Sequence, residues 1–226
     1  MPKTSIVLTV YNKPQWLNQC MDSVLAQTDA DWELLVMEDN SPDERVREII
    51  HTYDDPRILT YFSGVQESER YATARYCTLI NKAVREMSSG KYITYLTDDD
   101  FYYPERLELM TAYLDNHPEH SVVYGALHNV DADGNIAGDR PATEVLFSAW
   151  NKVDHNAVMH TREAFDNVDG WEDNYGTWGG GDAYFWRRLN NDGYIFYPIP
   201  EFVAAKRYHT GSVQWLMSNN LFPPKP

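Results

Sequence analysis

Three consecutive carboxylates, Asp98, Asp99 and Asp100, follow Thr97 directly after the mostly apolar run Tyr92-Ile93-Thr94-Tyr95-Leu96. Like charges this close repel one another, and a hard divalent ion bridging phosphate oxygens is the natural reason to keep them together. The alternative is a solvated acidic turn capping the helix expected from about Pro104, because Asp is a favoured N-cap. Thr9-Val10-Tyr11-Asn12 ends an earlier apolar run, and Glu38-Asp39-Asn40-Ser41 ends another. A Tyr ring there could stack on a base, and a carboxylate could accept the N3 proton of uracil or thymine. Taken singly, a turn residue and a helix cap serve as well. Gly179-Gly180-Gly181-Asp182 precedes the aromatic stretch Tyr184-Phe185-Trp186. Its glycines suit a loop that closes on substrate, with Asp182 as either a working carboxylate or an N-cap. Trp171 and Trp178 suit an apolar platform for a ligand or the core equally. Asp131-Ala132-Asp133-Gly134-Asn135 has the look of a calcium loop, but Ile136 and Ala142 stand where an EF-hand needs Gly and Glu, so a hairpin turn is expected.

The elements that must position these groups alternate. Ile6–Val10, Trp32–Met37, Ile58–Phe62 and Tyr92–Leu96 read as strands. Leu17, Cys20, Met21, Val24 and Leu25 carry a helical stripe after Pro14. Ser41-Pro42-Asp43-Glu44 reads as an N-cap, a first-turn Pro and a capping-box Glu for a second helix through Val46, Ile49, Ile50 and Tyr53. Tyr76 to Met87 marks a long third helix ended by Gly90. This alternation predicts an α/β fold with parallel strands and right-handed crossovers, and ligands gather at the carboxyl ends of such strands. Farther on, Leu107, Met110 and Leu114 mark a helix, Ser121–Val130 and Val153–His160 read as strands, and a helix runs through Phe185 and Leu189. One domain over 1–226 is expected, with a nucleotide-binding half to about 120, an acceptor-binding half over about 121–215, and a tail over 216–226 whose Pro-rich end, 221–226, frays.

The whole chain has 226 residues and a net charge of −15. That field repels nucleic-acid backbones and anionic lipid, so an anionic substrate needs local cations or a metal. Two cysteines, Cys20 and Cys77, exclude a disulfide scaffold and a Cys-rich zinc site. No stretch approaches the roughly 20 apolar residues of a membrane span. The first apolar run stops at Tyr11-Asn12-Lys13, unlike a signal peptide, and the expectation is a reduced, cytoplasmic protein.

Thr9-Val10-Tyr11-Asn12-Lys13, Ser23-Val24-Leu25-Ala26-Gln27-Thr28, Trp32-Glu33-Leu34, Glu38-Asp39-Asn40-Ser41 and Tyr95-Leu96-Thr97-Asp98-Asp99 occur in the order and spacing of a known signature. Through them the chain resembles the inverting family 2 glycosyltransferases of the GT-A fold. Ala74-Arg75-Tyr76, Leu79-Ile80-Asn81, Tyr92-Ile93-Thr94-Tyr95 and Asp154-His155 bring it near the spore-coat polysaccharide branch, over roughly residues 3–215. The resemblance implies a mixed, mostly parallel sheet flanked by helices. It also implies that Thr9, Tyr11 and Asp39 hold a pyrimidine base and ribose, with Arg75 near the uracil or diphosphate and Asp98 near the ribose. Asp99 would bind Mn²⁺ or Mg²⁺ through the donor diphosphate, with His209 near metal or diphosphate and Arg207 on the diphosphate. Asp182 falls where the family has its catalytic base. Thr97, Glu38 and Gly181 depart from the family, which commonly has Asp, Asp and an acidic residue there. His155 is expected to be structural or acceptor-lining.

The leading expectation is an inverting, metal-dependent transfer of sugar from a UDP- or dTDP-sugar to a glycan or other hydroxyl acceptor. The rival is a non-catalytic nucleotide-sugar or glycan-binding module on the same fold. A nucleotidyltransferase is weaker, since the first strand ends in Thr9-Val10-Tyr11 and not in a Gly-rich phosphate loop.

Overall fold

The computed structural model describes residues 2–222, apart from the side chain of Gln214. Its elements are β1 (Thr4–Val10), α1 (Pro14–Leu25), β2 (Trp32–Glu38), α2 (Arg45–Thr52), β3 (Ile58–Phe62), α3 (Arg75–Lys82), β4 (Tyr92–Thr97), β5 (Phe101–Tyr102), α4 (Arg106–Asn116), β6 (Val122–Val130), β7 (Ile136–Arg140), β8 (Val158–Thr161), α5 (Arg162–Asn167), α6 (Gly181–Asn191), β9 (Phe196–Arg207) and α7 (Val213–Ser218).

β1 and β2 are buried along their whole length, as near-continuous apolar strands covered on both faces must be. α1 starts with Pro14 in its first turn and buries Leu17, Cys20, Met21 and Val24 of the predicted stripe, while Leu25, at its last residue, is exposed. The sheet has nine strands in the order β3-β2-β1-β4-β8-β6-β9-β5, with β7 beside β6. β3, β2, β1 and β4 are parallel. β8 then runs antiparallel to β4 and β6, while β9 runs parallel to β6 and antiparallel to β5. The carboxyl ends of β1, β2, β4, β6 and β9 therefore face the same way and build one rim. This is the mixed α/β sheet of a GT-A fold, in one sheet from end to end.

Local expectations fail where tertiary contacts take over. Ser41 does not cap α2: the helix starts at Arg45 with no side-chain cap, and Ser41 Oγ accepts instead from the Asn12 amide at 3.0 Å. The third helix is α-helical only to Lys82, and Ala83–Met87 continues as a π-turn. The strand expected over 153–160 shrinks to β8, because Asp154 accepts from the Asn156 amide and starts a 3-10 turn at His155–Ala157. β9 had no counterpart in the hydropathy pattern, since its Tyr197-Pro198-Ile199-Pro200-Glu201 opening breaks both periods. α7 occupies the start of the expected tail, and residues 223–226 lie outside the described residues. Asp131–Asn135 is the hairpin turn between β6 and β7, with Gly134 at φ +90 and its amide donating to Asp131 O.

Candidate functional site

The rim opens into a cavity of about 820 Å³, lined among others by Thr9, Tyr11, Asp39, Arg75, Asp98, Asp99, Asp182, Arg207 and His209. All the site residues expected from the sequence thus share one cavity, although their elements span nearly the whole chain.

At the ends of β1 and β2, Asp39 is buried and held by two arginines. Arg70 Nη1 donates to Asp39 Oδ2 at 2.7 Å, and Arg75 Nη2 donates to Oδ1 at 2.7 Å. Ser63 Oγ adds a bond to Oδ1 at 3.0 Å. The Arg70 guanidinium also lies 3.9 Å from the centroid of the Tyr11 ring. Arg70 thus links the Tyr11 ring to the Asp39 carboxylate, and the two arginines compensate the buried charge. Arg70, 2% exposed, escaped the sequence analysis. Nothing local distinguishes it, because its partner lies 31 residues away.

The three carboxylates after β4 have separate tasks. Asp100 is used by the scaffold: it accepts from Thr97 Oγ1 at 2.8 Å, Asn156 Nδ2 at 2.5 Å and the Arg207 amide at 2.6 Å. Asp98 ties β4 to β1, accepting from the Tyr11 amide at 2.7 Å, and meets Lys13 Nζ at 3.2 Å. Asp99 Oδ2 meets Lys13 Nζ at 2.9 Å and His209 Nε2 at 2.8 Å. Burial pushes the Asp98 and Asp100 carboxyls up, reinforced in both by the charge of Asp99. Burial acts on Asp99 in the same sense, but Lys13 and His209 override it and hold that group well below the usual carboxylate range. Lys13 belongs to the first motif, yet its role as counter-ion is visible only once α1 and β4 are adjacent. Arg207 is engaged by the fold: Nε donates to Asp99 O at 2.9 Å, Nη1 to Asp131 O and Ala132 O, and Nη2 to Gln19 Oε1 at 2.7 Å.

Asp182 stands in the first turn of α6, whose N-cap is Gly180, so it is not the cap itself. His155 Nδ1 lies 3.9 Å from Asp182 Oδ2, and Asp154 behind it is ion-paired with Lys206. Burial would lower the His155 pKa, but the nearby carboxylates of Asp182 and Asp154 outweigh that, and the net shift is upward. Asp154, His155 and Asp182 offer ligand atoms within 4.8 Å of one another. Gly181 is required by packing: its amide donates to Tyr76 Oη at 2.8 Å, and a Cβ would lie 2.5 Å from both Tyr76 Oη and Cys77 Sγ. That crowding explains why the acidic residue common in the family is missing here. Of the two tryptophans, Trp171 is core, its indole donating to Tyr95 Oη at 3.1 Å, whereas Trp178 lines the cavity.

Asp99 and His209 also bring a carboxylate oxygen and an imidazole nitrogen to within 2.8 Å of each other in the cavity. A carboxylate oxygen and an imidazole nitrogen suit Mn²⁺, and also Mg²⁺ when phosphate and water oxygens complete the shell.

Among the described residues no helix is long and apolar enough to cross a membrane. The structure of S. aureus TarS 1–349 in complex with UDP-GlcNAc matches with a TM-score of 0.75 at 13% identity, covering 94% of this chain and 60% of that one. At that identity the likeness shows the fold. Protein CgeD of Bacillus subtilis (strain 168) is 42% identical over 201 residues, 84% of this chain and 46% of CgeD. The uncharacterized glycosyltransferase MJ1057 of Methanocaldococcus jannaschii is 31% identical over 138 residues, 60% of this chain and 45% of its own. The chain thus spans about half the length of the curated relatives it matches. The family model for glycosyl transferase family 2 matches residues 5–162, ending before Asp182 and His209. With that match across most of the sheet, the chain belongs to glycosyl transferase family 2.

Proposed function

We propose that this chain transfers a sugar from a UDP- or dTDP-sugar to a hydroxyl acceptor of a growing glycan, with inversion and with Mn²⁺ or Mg²⁺. The carrying observation is that Tyr11 with Asp39, Asp99 with His209, and Asp182 line a single cavity. Tyr11 and Asp39 bind the pyrimidine, Thr9 and Asp98 the ribose side, and Arg75 the base or diphosphate. Arg207 orients the Asp98–Asp100 turn from behind while lying beside the diphosphate. Asp99 and His209 hold the metal, which when bound supplies positive charge to the departing diphosphate. Asp182 takes the proton from the acceptor hydroxyl as general base, with His155 beside it. A UDP donor is favoured by the fold neighbour whose structures carry UDP-GlcNAc and UDP. Buried, unpaired Cys20 and Cys77 suit the reducing cytoplasm.

The test is release of nucleoside diphosphate from UDP-, dTDP- and GDP-sugars, with and without Mn²⁺. Metal-dependent release from a pyrimidine donor is expected. Binding of donor without transfer or hydrolysis of any of them would replace the enzyme by a nucleotide-sugar-binding module.

A further inference from the structure

The turn after α4 holds a second group of metal-type donors, remote from the rim. His117, Glu119 and His120 each present a ligand atom within 4.8 Å of the other two. His117 Nδ1 and His120 Nε2 both lie 3.6 Å from Glu119 Oε1. Ligands of a tetrahedral ion with bonds of about 2.0–2.1 Å stand roughly 3.4 Å apart, so the two histidine–glutamate separations need little adjustment to close on one ion.

The surroundings hold the donors in place. The His120 amide donates to His117 O at 2.9 Å, closing a four-residue turn with Pro118 at its second position, where the ring fixes φ. The two imidazoles are therefore brought to one side by the backbone itself. Their rings stack at 5.2 Å, and His120 lies flat on Tyr197 of β9 at 3.4 Å between centroids. Tyr113 Oη stands 3.2 Å from His120 Nδ1. A bond there occupies one ring nitrogen and leaves Nε2 facing Glu119, the arrangement in which the outer partner of a metal-bound histidine fixes its tautomer. The side chain of His120 is 17% exposed, while those of His117 and Glu119 are 45% and 63% exposed. An ion can enter from solvent without opening the core.

We propose that His117, Glu119 and His120 bind a borderline divalent transition ion of the Zn²⁺ class, with solvent in the fourth position. Two imidazoles and one carboxylate select such an ion over Mg²⁺ or Ca²⁺. All three donors lie in the turn that follows α4, and only the stacking of His120 on Tyr197 connects them to β9. The site lies at the opposite end of the sheet from the carboxyl-end rim, so its role is to order this turn and not to take part in sugar transfer.

The test is Zn²⁺ titration of the chelator-stripped full chain against a chromogenic chelator, with Co²⁺ absorption as a second readout. The wild type should bind one more equivalent than His120→Ala, and Glu119→Gln, whose exposed side chain makes misfolding no concern, should weaken that equivalent at least about tenfold. Zn²⁺ should raise the melting temperature of the wild type more than that of either variant. Equal stoichiometry and affinity in wild type and both variants would assign any bound zinc to Asp154–His155–Asp182 or to Asp99–His209, and would overturn the proposal. So would a wild type that binds none.

Discussion

Lys13 Nζ lies 2.9 Å from Asp99 Oδ2 and 3.2 Å from Asp98 Oδ1, so the chain places its own cation where the donor metal is proposed to act. An ammonium at that point keeps two buried carboxylates together before any ion arrives.

Lys13→Met tests this relationship. Removing one partner of a buried ion pair costs about 3–5 kcal/mol, because the opposite charge is left uncompensated. The variant should unfold at distinctly lower denaturant than wild type. Mn²⁺ should recover more stability in Lys13→Met than in wild type, since it meets less competition. A Lys13→Met variant as stable as wild type would show that the ammonium is not the counter-ion, and no gain from Mn²⁺ would show that the ion does not take its place.

Base selectivity should follow from Tyr11 and Asp39. Calorimetry at fixed Mn²⁺ should give tighter binding of UDP or dTDP than of GDP or ADP. Asp39→Asn should weaken UDP by about tenfold or more, the scale of a hydrogen bond to a charged group. Four nucleotides of equal affinity would remove the assignment.

Asp182→Asn keeps the size of the side chain and leaves the Gly180 cap untouched. A positioned general base contributes roughly 10²–10⁴-fold. Transfer to acceptor should therefore fall at least about a hundredfold, with UDP affinity and melting temperature near wild type. Wild-type transfer by the variant would move the base elsewhere.

Stability should fall in acid through His160. This buried ring bonds Tyr95 Oη through Nε2 at 2.6 Å and Thr161 O through Nδ1 at 2.8 Å, and burial lowers its pKa to about 4. The unfolded ring takes up its proton near 6.5, the folded one only near 4. Between these values the unfolded state holds more protons, so stability rises with pH and is lost on acidification, by up to about 3 kcal/mol. Urea unfolding from pH 7 to 4 should show a shallower loss in His160→Gln than in wild type. Parallel slopes would place the acid sensitivity in other groups.

The parallel half of the fold was legible because its signals are local. Apolar runs mark β1 to β4, and the strand-end rule alone puts Tyr11, Asp39 and Asp98 on one rim. What was not legible depends on pairings far apart in sequence. Arg70 finds Asp39 only through the fold, and Lys13 and Asp99 meet across 86 positions of chain that no periodicity connects. Ser41 carries a good capping signature but is drawn to the Asn12 amide, a tertiary bond that overrides local propensity. β9 was missed because Pro198 and Pro200 disguise its start, while its buried end, Val203 to Arg207, is what completes the site.

That last strand sets the order in which the site can come into being. Asp100 receives the Arg207 amide across 107 residues, and Asp99 receives His209 across 110. During synthesis the acidic turn emerges long before the segment that closes it, and domains acquire such long-range contacts late because loop closure must precede them. A nascent or truncated chain ending before β9 carries Tyr11, Asp39 and Arg75, the edge proposed to take the pyrimidine, but lacks Lys206, Arg207 and His209 around its carboxylates. On the proposed reading, competence for the diphosphate waits on the pairing of β9, which makes the integrity of that strand a checkpoint on the proposed activity.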